Sequence, residues 1–248
     1  MSDSIIVNNE KYIVIVPAAG VGKRMQASFP KQYLTLNNES ILSRTITQLL
    51  SHRNISKVVL ALSDEDDYFS KTTLFDNPNV IRVSGGTERV DSVLSGLQII
   101  DDSDWVLVHD AARPCITHED IDKLIFQCLK NNSGGILAAP VVDTMKLAIK
   151  GHTETNKVAE TIDRNQLWHA FTPQMFKVNE LKHAITQAQI KGIAITDEAS
   201  AIESAGLPCL LVSGRRDNIK ITRPEDLVLA EFYLAQQKLN KIKDRTCA

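Results

Sequence analysis

Hydrophobic positions along the chain alternate between short β-branched runs and longer stretches in which apolar residues recur every three or four positions. The run Tyr12 to Pro17 predicts a strand that stops at the loop Ala18-Ala19-Gly20-Val21-Gly22. After Ser40, a residue type suited to capping a helix, Ile41, Leu42, Thr45, Ile46, Leu49 and Leu50 share one helical face. Val58 to Leu62 has the continuous apolar pattern of a strand covered on both faces. A third strand is predicted near Val80 to Val83, leading into Gly85-Gly86 and a helix carrying Val90, Val93, Leu94, Leu97 and Ile100. Strand Trp105 to Val108 follows, then the loop His109 to Pro114. Thr117 with Asp120 three residues on opens a helix in the manner of a capping box, and strand Ile136 to Ala139 closes the series.

Strands alternating with amphipathic helices predict an α/β fold: a Rossmann-like, mostly parallel sheet with helices on both faces and ligands beyond the carboxyl ends of the strands. Between Val142 and Phe171 the rhythm breaks. Two short extended pieces there, Met145 to Ile149 and Lys157 to Ile162, predict a protruding β-hairpin-like arm. The alternation resumes with helices near Asn179 to Ile190 and Asp197 to Ala205, a strand Cys209 to Val212 and an extended run Asn218 to Ile221. Thr222-x-x-Glu225, with Pro224 in the first turn, starts the last helix. At 248 residues, one domain over 1–248 with an arm insertion at 142–171 accounts for the whole chain.

Composition narrows the functional classes. Hydrophobic residues make up 43% and charged residues 23%, ordinary for a globular protein. Lys and Arg (28) nearly balance Asp and Glu (30), so no global basic field draws in nucleic acid or an anionic membrane, and any bound anion is held locally. The apolar runs fall short of a membrane span, and Met1 to Asn9 lacks the features of a signal peptide, which together predict a cytoplasmic protein. Cys115, Cys128, Cys209 and Cys247 show neither disulfide nor metal-ligand spacing; Cys128 and Cys209 read as reduced core residues.

The polar loops carry the candidate chemistry. In Pro17-Ala-Ala-Gly-Val-Gly-Lys-Arg-Met25, small residues after a strand let backbone N–H groups approach a phosphate or base edge, and Lys23 and Arg24 balance a bound anion. Met25 stands where a dinucleotide fingerprint needs a small residue, and Arg24 where a Walker loop needs Ser or Thr. The same residues also suit a solvated surface turn. Asp110, directly past a buried strand, is placed to hold Mg²⁺ with nucleotide phosphates, or to brace its loop by pairing with Arg113. His109 fits a hydrogen-bonded structural role better than acid/base work. Gly85-Gly-Thr-Glu-Arg89 with Asp91-Ser92, and Gly214 to Thr222 containing Lys220, add polar groups at strand ends. With no nucleophile elbow, Cys/His signature or zinc-protease motif, cationic loops and one acidic metal candidate suit phosphoryl or nucleotidyl transfer.

Eight ordered motifs from about Ile13 to Leu234 carry a family resemblance. They are Pro17-Ala-Ala-Gly-x-Gly-x-Arg-Met, Pro30-Lys-Gln, Gly85-Gly-x-x-Arg-x-x-Ser, Val108-His-Asp-Ala-Ala-Arg-Pro, Ala139-Pro-x-x-Asp-Thr, Asp163-Arg-x-x-Leu-Trp, Thr196-Asp-Glu-Ala-Ser and Asn218-Ile-Lys-Ile-Thr-x-Pro-Glu-Asp. Together they resemble the 2-C-methyl-D-erythritol 4-phosphate cytidylyltransferase family of the non-mevalonate isoprenoid pathway. The resemblance implies transfer of CMP from CTP to methylerythritol phosphate with Mg²⁺ or another divalent cation, by a homodimer whose 142–171 arm reaches the neighbouring site. On matching positions, Arg24, Lys31 and Lys220 would be catalytic. Ala18, Ala19, Gly20, Gly22, Lys23, Gly86, Ser92, Asp110 and Ala111 would bind CTP. Asp110, Arg164, Thr172, Thr196 and Lys220 would bind the acceptor, with Arg164 coming from the partner's arm and Asp110 lying by the metal. Lys23 stands where an Arg is often found, and Thr87 where an Asp occurs. A ribitol-5-phosphate cytidylyltransferase and a non-catalytic nucleotide-binding regulator are the alternatives.

Overall fold

The β-branched run Tyr12–Pro17 forms strand β1 near the middle of a seven-stranded sheet in the computed structural model, which describes residues 10–20, 29–149 and 157–246. The chain continues through β2 (Thr35–Leu36), β3 (Glu39–Ser40), α1 (Ile41–Leu50), β4 (Ile55–Leu62), β5 (Val80–Ser84), α2 (Arg89–Leu97), β6 (Trp105–Val108), α3 (His118–Asn131) and β7 (Gly135–Pro140). There follow β8 (Met145–Ala148), β9 (Val158–Ile162), β10 (Trp168–Lys177), α4 (Val178–Ile190), α5 (Glu198–Ser204), β11 (Leu210–Ser213) and α6 (Glu225–Thr246). The strand order is β11-β7-β10-β6-β1-β4-β5, and every neighbouring pair is parallel except those of β10, which runs antiparallel to both β7 and β6.

Strand alternation divides the core into two layers. Val14 and Val16 pack with the apolar faces of α1 and α3, whereas Ile15 between them packs with α2, α4 and α5. All three are fully buried, each stabilising the fold by roughly 1.5–3 kcal/mol relative to exposure. Helix starts follow local chemistry. The Ser40 hydroxyl accepts the Ser43 N–H at 3.1 Å, and Thr117 accepts that of Asp120 at 3.3 Å. Asp120 does not complete a capping box, because its carboxylate accepts the Arg215 N–H at 2.9 Å. At the last helix Asp226, rather than Glu225, accepts the N–H groups of Thr222 and Arg223, at 2.8 and 2.9 Å.

Two segments depart from the sequence reading. Trp168–Lys177 is a ten-residue strand that the pattern did not predict, since Pro173 interrupts it and Pro is disfavoured inside a central strand. The ladder accommodates the proline by a register break between Ala170 and Gln174. The arm is therefore bounded by the sheet: β8 and β9 pair antiparallel, while Trp168, His169 and Ala170 already pair with Pro140, Ala139 and Ala138. Asn218 to Ile221 joins no ladder; the Ile221 N–H instead donates to the Ala112 carbonyl at 2.8 Å, laying the segment along the 109–113 loop. Among the described residues no helix is long and apolar enough to cross a membrane.

Candidate functional site

Parallel strands place their carboxyl ends on one edge of the sheet, and the antiparallel β10 brings its amino-terminal half to the same edge. Residues 18–20, 85–88, 109–113 and 214–221 therefore gather there with Phe171 and Thr172. Asp110 is the centre of the group, 6% exposed. Its Oδ1 accepts from Arg89 Nε at 3.1 Å, and its Oδ2 faces Arg113 Nε at 3.3 Å and Lys220 Nζ at 2.9 Å. Burial alone would push this carboxyl up. The charges of Arg89, Lys220 and Arg113 outweigh burial and hold it well below the usual carboxylate range.

A second set of bonds orients the loop. The Asp110 N–H donates to Thr172 Oγ1 at 3.0 Å, and that hydroxyl lies 3.2 Å from His109 Nδ1. His109 Nε2 is 3.1 Å from the Arg113 carbonyl oxygen, so the network fits an imidazole that donates from Nε2 and accepts at Nδ1. Burial drives its pKa down to about 4 and keeps the ring neutral. His109 is thus a buried brace, as the sequence suggested. Arg113 Nη1 donates to the Asn218 carbonyl at 2.7 Å, and Asn218 Nδ2 to the Thr172 carbonyl at 2.8 Å, tying the Lys220 segment to the same loop.

The expected nucleotide residues line one side of this edge. Pro17, Ala19, Gly20, Gly86 and Ser92 border a narrow cleft of about 70 Å³. Ser92 Oγ accepts the Gly86 N–H at 3.1 Å, and a Cβ on Gly86 would stand 2.1 Å from that of Asp91, so only glycine fits this turn. Ala18 is held by Gln32, whose Nε2 donates to its carbonyl at 2.7 Å, and the buried Ala111 accepts from Thr45 Oγ1 at 2.9 Å. Lys31 Nζ donates to the carbonyl of Ile221, next to Lys220, at 3.1 Å. Gly22, Lys23 and Arg24 lie outside the described residues.

Thr196 is exposed just before α5, its N–H donating to Ser200 Oγ at 3.0 Å. Arg164, in the turn Arg164–Gln166, donates to the Val142 carbonyl within the arm's own stem and makes no hydrogen bond or ion pair with the Asp110 group. Of the acceptor residues expected from sequence, Asp110, Thr172 and Lys220 thus come together, while Arg164 stands apart. Sequence reasoning passed over Arg89 and Glu198 as site residues, although both lie within quoted motifs. Arg89 bridges Asp110 to the buried Glu198, a partner 109 positions away that no periodicity connects to it.

The expectation that Asp110 ligates Mg²⁺ does not fit this arrangement. Mg²⁺ is held through one or two open carboxylates together with substrate oxygens. Here both oxygens of Asp110 are engaged by three cationic side chains.

Comparison with known proteins identifies the family. The profile of the 2-C-methyl-D-erythritol 4-phosphate cytidylyltransferase family matches residues 12–236. The chain is 58% identical over 236 residues to the protein of that name from Colwellia psychrerythraea, covering 93% of this chain and 97% of the relative. Identity to the Vibrio atlanticus protein is 55% over 232 residues, covering 92% and 97%. The crystal structure of the Francisella tularensis 2-C-methyl-D-erythritol 4-phosphate cytidylyltransferase superimposes with a TM-score of 0.77 at 34% identity, over 90% of this chain and all of that one. That of Thermus thermophilus gives 0.73 at 27% identity, over 89% and 97%. The chain belongs to the 2-C-methyl-D-erythritol 4-phosphate cytidylyltransferase family.

Proposed function

We infer that this chain transfers CMP from CTP to 2-C-methyl-D-erythritol 4-phosphate, forming 4-diphosphocytidyl-2-C-methyl-D-erythritol and pyrophosphate in isoprenoid precursor biosynthesis. The carrying observation is the set of cations around Asp110 beside the Gly86 and Ser92 cleft, with His109 buried and neutral. An acceptor phosphate is largely dianionic at neutral pH, its second pKa being about 6, so its oxygen attacks the α-phosphorus without a general base. One P–O bond forms there as the bond to the β-phosphate bridging oxygen breaks, and pyrophosphate leaves with the electron pair. The difficulty is bringing two polyanions together: at 4 Å, two unit charges repel by about 4 kcal/mol at an effective dielectric of 20. Screening that repulsion is the task of Lys31, Lys220 and Arg24.

In this reading Ala18, Ala19, Gly20, Gly22, Lys23, Gly86, Ser92 and Ala111 shape the CTP pocket, while Arg24 and Lys31 contact the triphosphate. Lys220, Thr196, Thr172 and Asp110 hold the acceptor, and Arg164 serves the neighbouring subunit of a cytoplasmic homodimer. Exposed Leu147 and Val158 on the arm give that dimer apolar surface to cover. A divalent cation, Mg²⁺ first, would supply charge neutralisation on the triphosphate.

Pyrophosphate release from CTP, measured separately with methylerythritol phosphate and ribitol 5-phosphate, tests the reading. Faster turnover of methylerythritol phosphate is expected. Preference for ribitol phosphate overturns the acceptor assignment, and CTP binding without pyrophosphate from either acceptor points to a regulator.

A further inference from the structure

Arg89 opens α2 and Glu198 opens α5, and the two form a two-pronged ion pair across the site edge. Arg89 Nη1 donates to Glu198 Oε1 at 2.6 Å and Nη2 to Oε2 at 3.0 Å. The remaining guanidinium nitrogen, Nε, donates to Asp110 Oδ1. A guanidinium is rigid and planar, so fixing both Nη atoms dictates where Nε points. With Asp110 alone as partner, Arg89 would be free to turn its fork and grip that carboxylate with two nitrogens. The hold of Glu198 prevents this and leaves Asp110 Oδ2 to Arg113 and Lys220.

Glu198 is itself firmly seated. It is 2% exposed, and its helix start is tied to β10: Gln174 Nε2 donates to Asp197 Oδ2 at 2.9 Å, while Gln174 Oε1 accepts the Ala199 N–H at 2.9 Å. The α5 start thereby reaches the Asp110 carboxylate by way of Arg89, beside the bond that the Asp110 N–H donates to Thr172 of β10.

We propose that Glu198 is a positioning residue for the acceptor side of the transfer: by holding both Nη atoms of Arg89 it aims Nε at Asp110 and orients the carboxylate that faces the acceptor. This rests on the reading of Asp110 as an acceptor-binding residue. The electrostatics agree, since after burial the charge of Arg89 is the largest influence on the Asp110 carboxyl. Burial disfavours the Arg89 cation, but Glu198 and then Asp110 outweigh it.

The test uses Glu198→Gln, which keeps the shape and removes the charge, Arg89→Lys, which keeps the charge and removes the fork, and the double variant. Each is assayed by pyrophosphate release with either substrate varied. Glu198→Gln is expected to lower kcat/KM for methylerythritol phosphate by about 10- to 100-fold while KM for CTP stays within about threefold, the cost of a misaimed group rather than a missing one. Because both variants break the same geometry, adding Glu198→Gln to Arg89→Lys should cost less than about threefold more. Losses that multiply in the double variant, equal losses on both substrates, or a fully active Glu198→Gln each overturn the proposal. If Glu198→Gln does not fold, Arg89→Lys alone must show the acceptor-selective loss, and its absence is equally decisive. A wild-type protein that releases no pyrophosphate from CTP and methylerythritol phosphate refutes the functional reading itself, and the proposal with it.

Discussion

Lys220 Nζ stands 2.9 Å from Asp110 Oδ2, on a segment that joins no sheet. Its side chain is 39% exposed, so the ammonium can turn from the carboxylate to an arriving phosphate without being dug out of the core. Asp110 keeps Arg89 and Arg113 when Lys220 is lost. Lys220→Met should therefore shift Tm by no more than about 4 °C, as expected for a part-exposed ion pair worth about 1 kcal/mol or less. Its kcat/KM should fall by about 10²–10³, the scale for removing one preorganised charge-stabilising donor. Thermal melts and steady-state rates on the same sample check both halves; a large loss of Tm with normal rates would reverse the interpretation.

Lys31 is held by the same segment, through the Ile221 carbonyl. If its charge matters most as negative charge builds up on the departing pyrophosphate, Lys31→Ala should lower kcat far more than it raises KM for CTP. A change confined to KM assigns Lys31 to ground-state binding instead.

Two glycines at the cleft between Ala19 and Ser92 separate packing from ligand approach. A Cβ on Gly86 would meet Asp91, whose carboxylate accepts the Glu88 N–H at 3.0 Å, whereas a Cβ on Gly20 would meet nothing within 4 Å among the described residues. Gly86→Ala should lower both Tm and CTP affinity. Gly20→Ala should leave Tm within about 2 °C, since no contact is strained, and weaken CTP binding by blocking the approach of the nucleotide to the backbone. Calorimetric titration with CTP beside thermal melts distinguishes the two; unchanged CTP affinity in Gly20→Ala removes that residue from the pocket.

The legibility of this protein in its sequence follows the range of the forces involved. Tyr12–Pro17 and Trp105–Val108 match their runs because burial on both faces leaves an unbroken apolar signature. Trp168–Lys177 escaped because its pairing is imposed by β7 and β6 on a polar, proline-containing stretch. The loops carrying Gly86, Asp110 and Lys220 were legible as neighbours, since they follow strands whose carboxyl ends lie on one edge of the sheet. Of the partners of Asp110, Arg113 in the same loop was legible; Arg89 and Lys220 reach it from two distant segments, and Glu198 acts through a sheet crossover that local spacing does not encode.

Acid should weaken the fold before it titrates Asp110. The His109 pKa is about 4 in the folded chain and about 6.5 when unfolded, so below pH 6.5 the unfolded chain takes up the proton first. The corresponding stability is fully present above pH 6.5 and is lost as pH falls towards 4, at up to about 1.4 kcal/mol per pH unit. His52, also lowered chiefly by burial, acts in the same direction. The depressed Asp110 carboxyl adds its loss only below its unfolded value near 4. Urea midpoints between pH 4 and 7 should fall with acid in the wild type and less steeply in His109→Gln. Identical slopes in the two proteins would place the proton elsewhere.

The placement of Arg164 leads to a prediction about subunits. Its hydrogen bond runs to Val142 in the arm's stem, and the Asp110 group receives nothing from it, although the sequence motif marks it as an acceptor-binding residue. In the proposed reading, an arginine that binds acceptor without reaching the site of its own chain serves a neighbour's. Arg164→Ala and Lys31→Ala proteins, each poorly active alone, then place their defects in complementary ways. A mixed dimer has one site lacking both groups and one site lacking neither. Random mixing makes half of the dimers mixed, each with one intact site, so activity should recover to about one quarter of wild type. Recovery should appear only after subunit exchange, followed with differently tagged chains. Confirmed heterodimers that remain inactive would show that Arg164 does not act across the dimer, and the arm would lose its catalytic role.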